Sequence, residues 1–322
     1  MQQINRRHFV SQLASSALAL GGAAILPRVL SAGDVGRKMT LCLSCGSIGV
    51  SANQVEAIAL AHRHGFESVE ASGDYLAGLA PGQLAELKAD MKQKNVVFGA
   101  AGLSVEFRQD DARFADGMGK LPRIADGLRR AGVERVGTWL MPCHPSLTFL
   151  QNFKQHAKRL REVALVLKDR GQRLGMEYVG TPTVRNSQKY PFIHTLAEMK
   201  DLVGEIGTGN AGIVLDSWHW WTAGDTEAEL LGLTNQDVIS VDLNDAPAGV
   251  PLAQQIDGRR ELPAATGVID VATFLTALNK IGYDGPVRAE PFNKPLNDLG
   301  NEEACAATIQ ALKKAFALLR PA

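Results

Sequence analysis

The chain has 322 residues and carries 34 Lys plus Arg against 34 Asp plus Glu, a formal net charge of zero at pH 7. That balance leaves no net field to draw nucleic acid or an anionic membrane surface, and it points to small, weakly charged partners. The length exceeds the usual domain, but barrels of the α/β kind form a single unit at this size. Cys42, Cys45, Cys143 and Cys305 are too few for a disulfide scaffold. The one C-x-x-C falls in an apolar run with strand character, so core thiols are expected rather than a zinc or redox site.

In chain order, Asn5-Arg6-Arg7-His8-Phe9-Val10 precedes an Ala/Gly-rich apolar stretch over 13–26, then Pro27 and Leu30-Ser31-Ala32. The order resembles a twin-arginine export signal with cleavage after Ala32. That implies a leader over 1–32, the twin-arginine export machinery as a partner, and a periplasmic or otherwise exported enzyme folded over 38–322. A signal anchor retained in the membrane is the rival; an amphipathic first helix is disfavoured because the segment has no polar face of period 3.6.

From Lys38 onward short β-like runs alternate with amphipathic stretches. Buried parallel strands are expected at 40–45, 68–71, 96–103, 135–140, 173–178, 211–215, 238–244 and 287–290. Helices are expected at 53–64, capped by Asn53; at 81–94, with Pro81 in the first turn; and at 121–131, stopped by Gly132. Further helices are expected at 152–170, 194–206, 226–232, 270–281 and 302–319. Eight alternations with right-handed crossovers close most economically into a single-domain (β/α)₈ TIM barrel of the α/β class. An open doubly wound sheet is the alternative, but Gly46-Ser47-Ile48-Gly49 after the first strand lacks the G-x-G-x-x-G spacing of a dinucleotide fold.

Barrel chemistry sits where strands end. Four consecutive strands end in acids: Glu177, Asp216, Asp242 and Glu290. A single such acid is ordinarily a helix cap. Four on one rim repel too strongly to stay ionised together without a cation. An oxygen-rich set suits one hard divalent ion, Mn²⁺ foremost with Mg²⁺ or Co²⁺ as substitutes, better than structural zinc.

These residues carry a resemblance. Gly175 to Tyr178, Asp216-Ser217-Trp218-His219, Asn244-Asp245-Ala246, Asp257-Gly258-Arg259 with Leu262-Pro263, Gly267-Val268-Ile269-Asp270, and Gly282 to Pro286 through Glu290-Pro291-Phe292 resemble the xylose isomerase-like barrels. Those are sugar isomerases and epimerases, typified by ketose 3-epimerases and inosose dehydratases or isomerases. The resemblance spans the mature chain in organisation, with its specific matches in the second half. It implies metal ligation by Glu177, Asp216, Asp242 and Glu290, with Glu177 and Glu290 also the two catalytic bases and His219 a substrate-binding residue. It further implies a sugar or keto-sugar substrate and proton abstraction next to a carbonyl through a metal-bound enediolate. Elimination or deglycosylation of 3-keto sugars and glycosides is the alternative on the same ligands.

Two departures stand out. Most relatives have histidine where this chain has Asp242, which makes the site more anionic and weakens the metal as an electrophile; Asn244 or Asp245 is the alternative ligand. The arginine of ketose epimerases after the third ligand is replaced by Ala248 and Gly249, leaving Arg259 or Arg260 to take its place. Position alone adds further candidates. Trp220 and Trp221, just past a rim, are expected to offer apolar faces to a sugar, and Trp139, inside a strand, to pack in the core. Glu70 is expected to meet a substrate hydroxyl or a neighbouring cation, and His144 to contact substrate or to stand solvated in its loop. Of seven histidines only His144, His194 and His219 fall near the rim, too few for the histidine-rich metal cluster of the related DNA-repair nucleases. A homo-oligomer is compatible with all of these features.

Overall fold

The computed structural model describes residues 36–320, so the expected leader lies outside the described residues. Ten strands follow in chain order: β1 (Thr40–Leu43), β2 (Ser68–Ala71), β3 (Val97–Gly102), β4 (Arg135–Trp139), β5 (Cys143–His144), β6 (Arg173–Glu177), β7 (Tyr190–Pro191), β8 (Ala211–Asp216), β9 (Val238–Leu243) and β10 (Pro286–Ala289). Eight of them form a closed parallel barrel in the order β1-β10-β9-β8-β6-β4-β3-β2, and β5 pairs with β7 as a small antiparallel ribbon. Closure is made by β1 on β10, where Thr40, Leu41 and Cys42 stand level with Pro286, Val287 and Arg288. The single-domain TIM barrel expected from the alternation is therefore the observed architecture.

The helices are α1 (Gln54–His64), α2 (Gly73–Gly78), α3 (Pro81–Lys94), α4 (Asp111–Ala131), α5 (Phe149–Lys168), α6 (Pro182–Arg185), α7 (Leu196–Ile206), α8 (Ser217–Ala223), α9 (Glu227–Leu231), α10 (Val271–Lys280), α11 (Lys294–Asn297) and α12 (Asn301–Phe316). Among the described residues, no helix is long and apolar enough to cross a membrane. Asn53 caps α1 through Oδ1, which accepts from the Val55 and Glu56 N–H groups at 3.0 Å each, while Glu56 accepts from the Asn53 N–H. Helix α4 starts ten residues earlier than expected. Asp110 caps it, accepting from the Arg113 N–H at 2.9 Å, and Pro122 sits in its interior. The lost backbone bond is tolerated because Phe114, Leu121, Ile124 and Leu128 keep one face buried.

Period two decides what fills the barrel. Gly137, Gly175 and Gly212 are register partners on β4, β6 and β8. A methyl group on Gly175 would stand 2.7 Å from Cβ of Ile239 and 2.9 Å from Cγ2 of Val214, so these glycines make room for the side chains that plug the interior. Two residues beyond Gly175 on the same inner face comes Glu177, at the open end.

Candidate active site

A cavity of about 640 Å³ opens where the strands end. Its lining combines polar residues, Ser44, Glu70, Glu177, His219, Arg288 and Glu290 among them, with the apolar Leu103, Trp139, Met141, Val179, Val184 and Phe292. The ladders account for the acids. Asp216 on β8 is level with Asp242 on β9, and Asp242 is level with Arg288 on β10, so all three enter from neighbouring strands. Glu290 follows Arg288 by two residues and shares its inward face.

Carboxylate oxygens of Glu177, Asp242 and Glu290 lie within 4.8 Å of one another, and those of Glu177 and Asp216 with a ring nitrogen of His219 form a second such group. Oε1 of Glu177 is buried with no hydrogen-bond partner among the described residues. A buried carboxylate oxygen without a donor is costly, and a hard dication is the partner that relieves it. Burial, then the charges of Glu290, Asp242 and Asp216, push the Glu177 carboxyl well above the usual carboxylate range. Burial also raises Glu290 and Asp216, and the neighbouring arginines offset this only in part. The donor set therefore fits a divalent ion.

Two arginines organise the acids. Arg260, on the loop between β9 and α10, has a fully buried side chain held between the rings of Trp218 at 5.5 Å and Phe292 at 4.8 Å. It donates to Asp216 Oδ2 at 2.7 Å and to Asp257 Oδ1 at 2.9 Å, and lies 3.5 Å from Glu290 Oε2. Arg288 donates to both oxygens of Asp242, through Nε and, at 3.1 Å, through Nη2. Asn244 ties the array together: its side chain donates to Asp216 Oδ1 at 2.9 Å and accepts from the Glu290 N–H at 3.0 Å. For Asp257 burial is outweighed by Arg260, which holds the carboxyl below its ordinary range. His219 Nε2 lies 3.3 Å from Arg260 Nη2. Arginine can only donate, so Nε2 accepts and Nδ1 carries the proton, without a partner among the described residues. Burial, then Arg260, depress His219 to about 3, which keeps the ring neutral.

The structure brings Glu177, Asp216, Asp242, Glu290, His219 and Glu70 to one cavity, and it leaves four other candidates off the cavity wall. Arg259 is exposed to solvent and off the wall; its neighbour Arg260 points inward instead. Trp220 is buried on the opposite side of α8, donating to the Thr226 carbonyl and packing on Phe274 at 5.5 Å. One helical step of about 100° separates it from His219, which faces the cavity. Trp221 packs on Trp218. His144 is turned into its own loop, where Nδ1 accepts from the Ser146 and Leu147 N–H groups.

Trp139 corrects the expectation of core packing, because it ends β4 at the cavity mouth with 44% of its surface exposed and one face on Arg108 at 4.6 Å. Glu70 meets a cation, Arg288, at 3.5 Å and also accepts from Ser44. Asp245 stands outside the clustered acids: its oxygens accept from the N–H groups of Thr266, Gly267 and Ile269 at 2.9, 2.7 and 3.0 Å. The extra negative charge expected from Asp242 is matched by Arg288, which sequence reasoning missed. The signal lay in Arg288-Ala289-Glu290, where alternation puts the arginine on the same face as the rim acid. Cys42 and Cys45 are free thiols, with burial pushing each to about 12.

The family model described as xylose isomerase-like TIM barrel matches residues 58–315. An inosose isomerase of Bacillus velezensis is 23% identical over 270 residues, covering 82% of this chain and 92% of that protein. A xylose isomerase domain protein of Alicyclobacillus acidocaldarius superposes with a TM-score of 0.76 at 30% identity, over 87% of this chain and 99% of that one. The IolI protein, solved with a bound zinc atom, superposes with a TM-score of 0.72 at 20% identity, over 88% and 100%.

Proposed function

Given that the chain belongs to the xylose isomerase-like TIM barrel family, we propose that it is a metal-dependent sugar isomerase or epimerase. The observation that carries this reading is the pair of carboxyls Glu177, buried, and Glu290, partly buried, which enter one cavity from β6 and from just past β10, come within 4.8 Å of each other and are both lifted above the ordinary acid range. A general base works best with a pKa near the working pH, which is the direction burial moves these two. Glu177, Asp216, Asp242 and Glu290 would hold the ion, whose charge, when bound, polarises a carbonyl and the adjacent hydroxyl. The oxygen donors support Mn²⁺.

Glu177 removes the proton beside the carbonyl, and Glu290 returns one on the opposite face, which inverts that carbon. Return to the neighbouring carbon converts aldose and ketose. His219, neutral and with an unpartnered Nδ1–H, is taken to bind a substrate oxygen. Trp139 offers an apolar face to the C–H surface of a sugar. The inosose isomerase relative supports a polyhydroxylated ketone as substrate. Export through the twin-arginine machinery, with cleavage after Ala32, is part of the proposal and is checked by the N-terminal sequence of the secreted protein.

A second reading has its own support. The apolar lining of the cavity, from Leu103, Met141, Val179, Val184 and Phe292, suits a substituent that a bare sugar lacks. Removing the proton beside a 3-keto group also expels a leaving group, which makes the enzyme a lyase or deglycosidase. The deciding experiment is elemental analysis of the purified protein, followed by NMR in D₂O with free sugars, keto-inositols and 3-keto glycosides. Deuterium at carbon without bond cleavage supports the isomerase, and release of an aglycone supports the rival. Glu177→Gln and Glu290→Gln are each expected to lower kcat/KM by about 10³-fold or more. Full activity in the chelator-treated protein would end the metal reading.

A further inference from the structure

Arg288 lines the cavity wall and turns its guanidinium toward carboxylates. Its Nε and Nη2 grip both oxygens of Asp242, Nη1 lies 3.5 Å from Glu70 Oε2, and Nη2 lies 3.7 Å from Glu290 Oε1. Three carboxylates surround the guanidinium, and both of its hydrogen bonds go to Asp242. The β9–β10 ladder sets the pairing, since Asp242 and Arg288 are register partners and their side chains leave the sheet on the same side. Asp242 is wholly buried. Charge follows the pairing: Arg260 and Arg288 offset part of the negative charge of Glu177, Asp216, Asp242 and Glu290, together with that of Asp257 and Glu70, and Arg288 alone grips both oxygens of Asp242.

We infer that Arg288 is a positioning residue that sets the ion charge this centre accepts: by clamping Asp242 it lets a fourth carboxylate enter the cluster while holding the site to a divalent ion. Asp242 keeps a ligating oxygen within 4.8 Å of those on Glu177 and Glu290 while bound to Arg288, because each carboxylate oxygen has a second lone pair. The inference rests on the reading of the cluster as a dication site.

The test measures binding of Mn²⁺ and Tb³⁺ to the chelator-stripped full chain, by calorimetry for manganese and by tryptophan-sensitised luminescence for terbium. The quantity compared is the ratio of terbium to manganese affinity. Arg288→Met adds one uncompensated negative charge, so the ratio is expected to rise by about tenfold or more. Asp242→Asn removes one, so the ratio falls below wild type. The double variant Asp242→Asn with Arg288→Met restores the balance and is expected to return close to the wild-type ratio. Arg288→Lys keeps the charge without the two-pronged grip; it should keep the wild-type ratio with weaker binding of both ions.

Should Arg288→Met fail to fold for want of a partner for Asp242, the Asp242→Asn and double-variant ratios still decide. A wild type that binds one manganese while the ratio stays flat across the variants overturns the role of Arg288 and leaves the dication site standing. A wild type that binds neither ion overturns both.

Discussion

Asp242 and Asp245 sit three residues apart, both are acidic and both are buried, yet their surroundings give them opposite work. Asp245 faces three backbone N–H groups of the loop before α10, so Asp245→Ala orphans them and is expected to cost about 2–4 kcal/mol in urea unfolding, with metal stoichiometry unchanged. Asp242 faces Arg288 and the cluster, and its loss should register in ion binding. Glu177 adds a pH effect. Its folded pKa is raised above the unfolded value, so the unfolded chain ionises first, and the metal-free protein loses stability as pH climbs from the ordinary glutamate range toward that raised value. Glu177→Gln removes this loss, so the stripped variant is expected to melt above the stripped wild type at pH 8 while being far less active; scanning calorimetry of both proteins at pH 5 and pH 8 checks it. The four acids could be read from strand ends because alternation fixes which side chains point inward. Arg260 could not be distinguished from Arg259, since the choice between adjacent loop residues is made by Asp216, Asp257 and the rings of Trp218 and Phe292, all distant in sequence.

At the level of elements, the strands were legible because buried parallel strands are short apolar runs closed by helices with good caps, as at Asn53. The start of α4 was missed because Pro122 resembles a beginning, whereas Asp110 supplies the real cap. The short helices α2, α6 and α11 and the β5–β7 ribbon were missed as well; each belongs to a loop over the rim, where length and periodicity are too small to show. Helix α5 contributes a titration unrelated to the site. His156 is buried between Phe107 and Phe192, with Nδ1 bonded to the Asn152 carbonyl and Nε2 without a partner among the described residues, and burial depresses it to about 4. The folded state therefore resists protonation that the unfolded state accepts. Stability from this group is complete above the unfolded value of 6.5 and is lost as pH falls toward 4, by roughly 3 kcal/mol in all. His156→Leu abolishes that term, so urea unfolding at pH 7 and pH 4.5 should show the variant gaining on the wild type as the medium is acidified.

For the whole molecule, the alternation of eight strands and eight crossovers was enough to give the barrel, and closure by β1 on β10 makes the site a product of the complete fold. The clustered acids Glu177, Asp216, Asp242 and Glu290 lie on, or just past, strands that are neighbours only once the sheet has formed. An ion bound to the native state alone stabilises it by mass action, by about 2.7 kcal/mol at a hundredfold excess over Kd. Titrating Mn²⁺ into the stripped protein is therefore expected to raise Tm progressively, and a Tm indifferent to the ion would contradict a native-state site. The cavity is also split along the chain. The four clustered acids and the two arginines beside them come from the second half, while Ser44, Glu70, Leu103, Trp139 and Met141 come from the first. Selection can therefore retune which molecule is admitted by altering the early loops, without disturbing the later ones that keep the reaction the same.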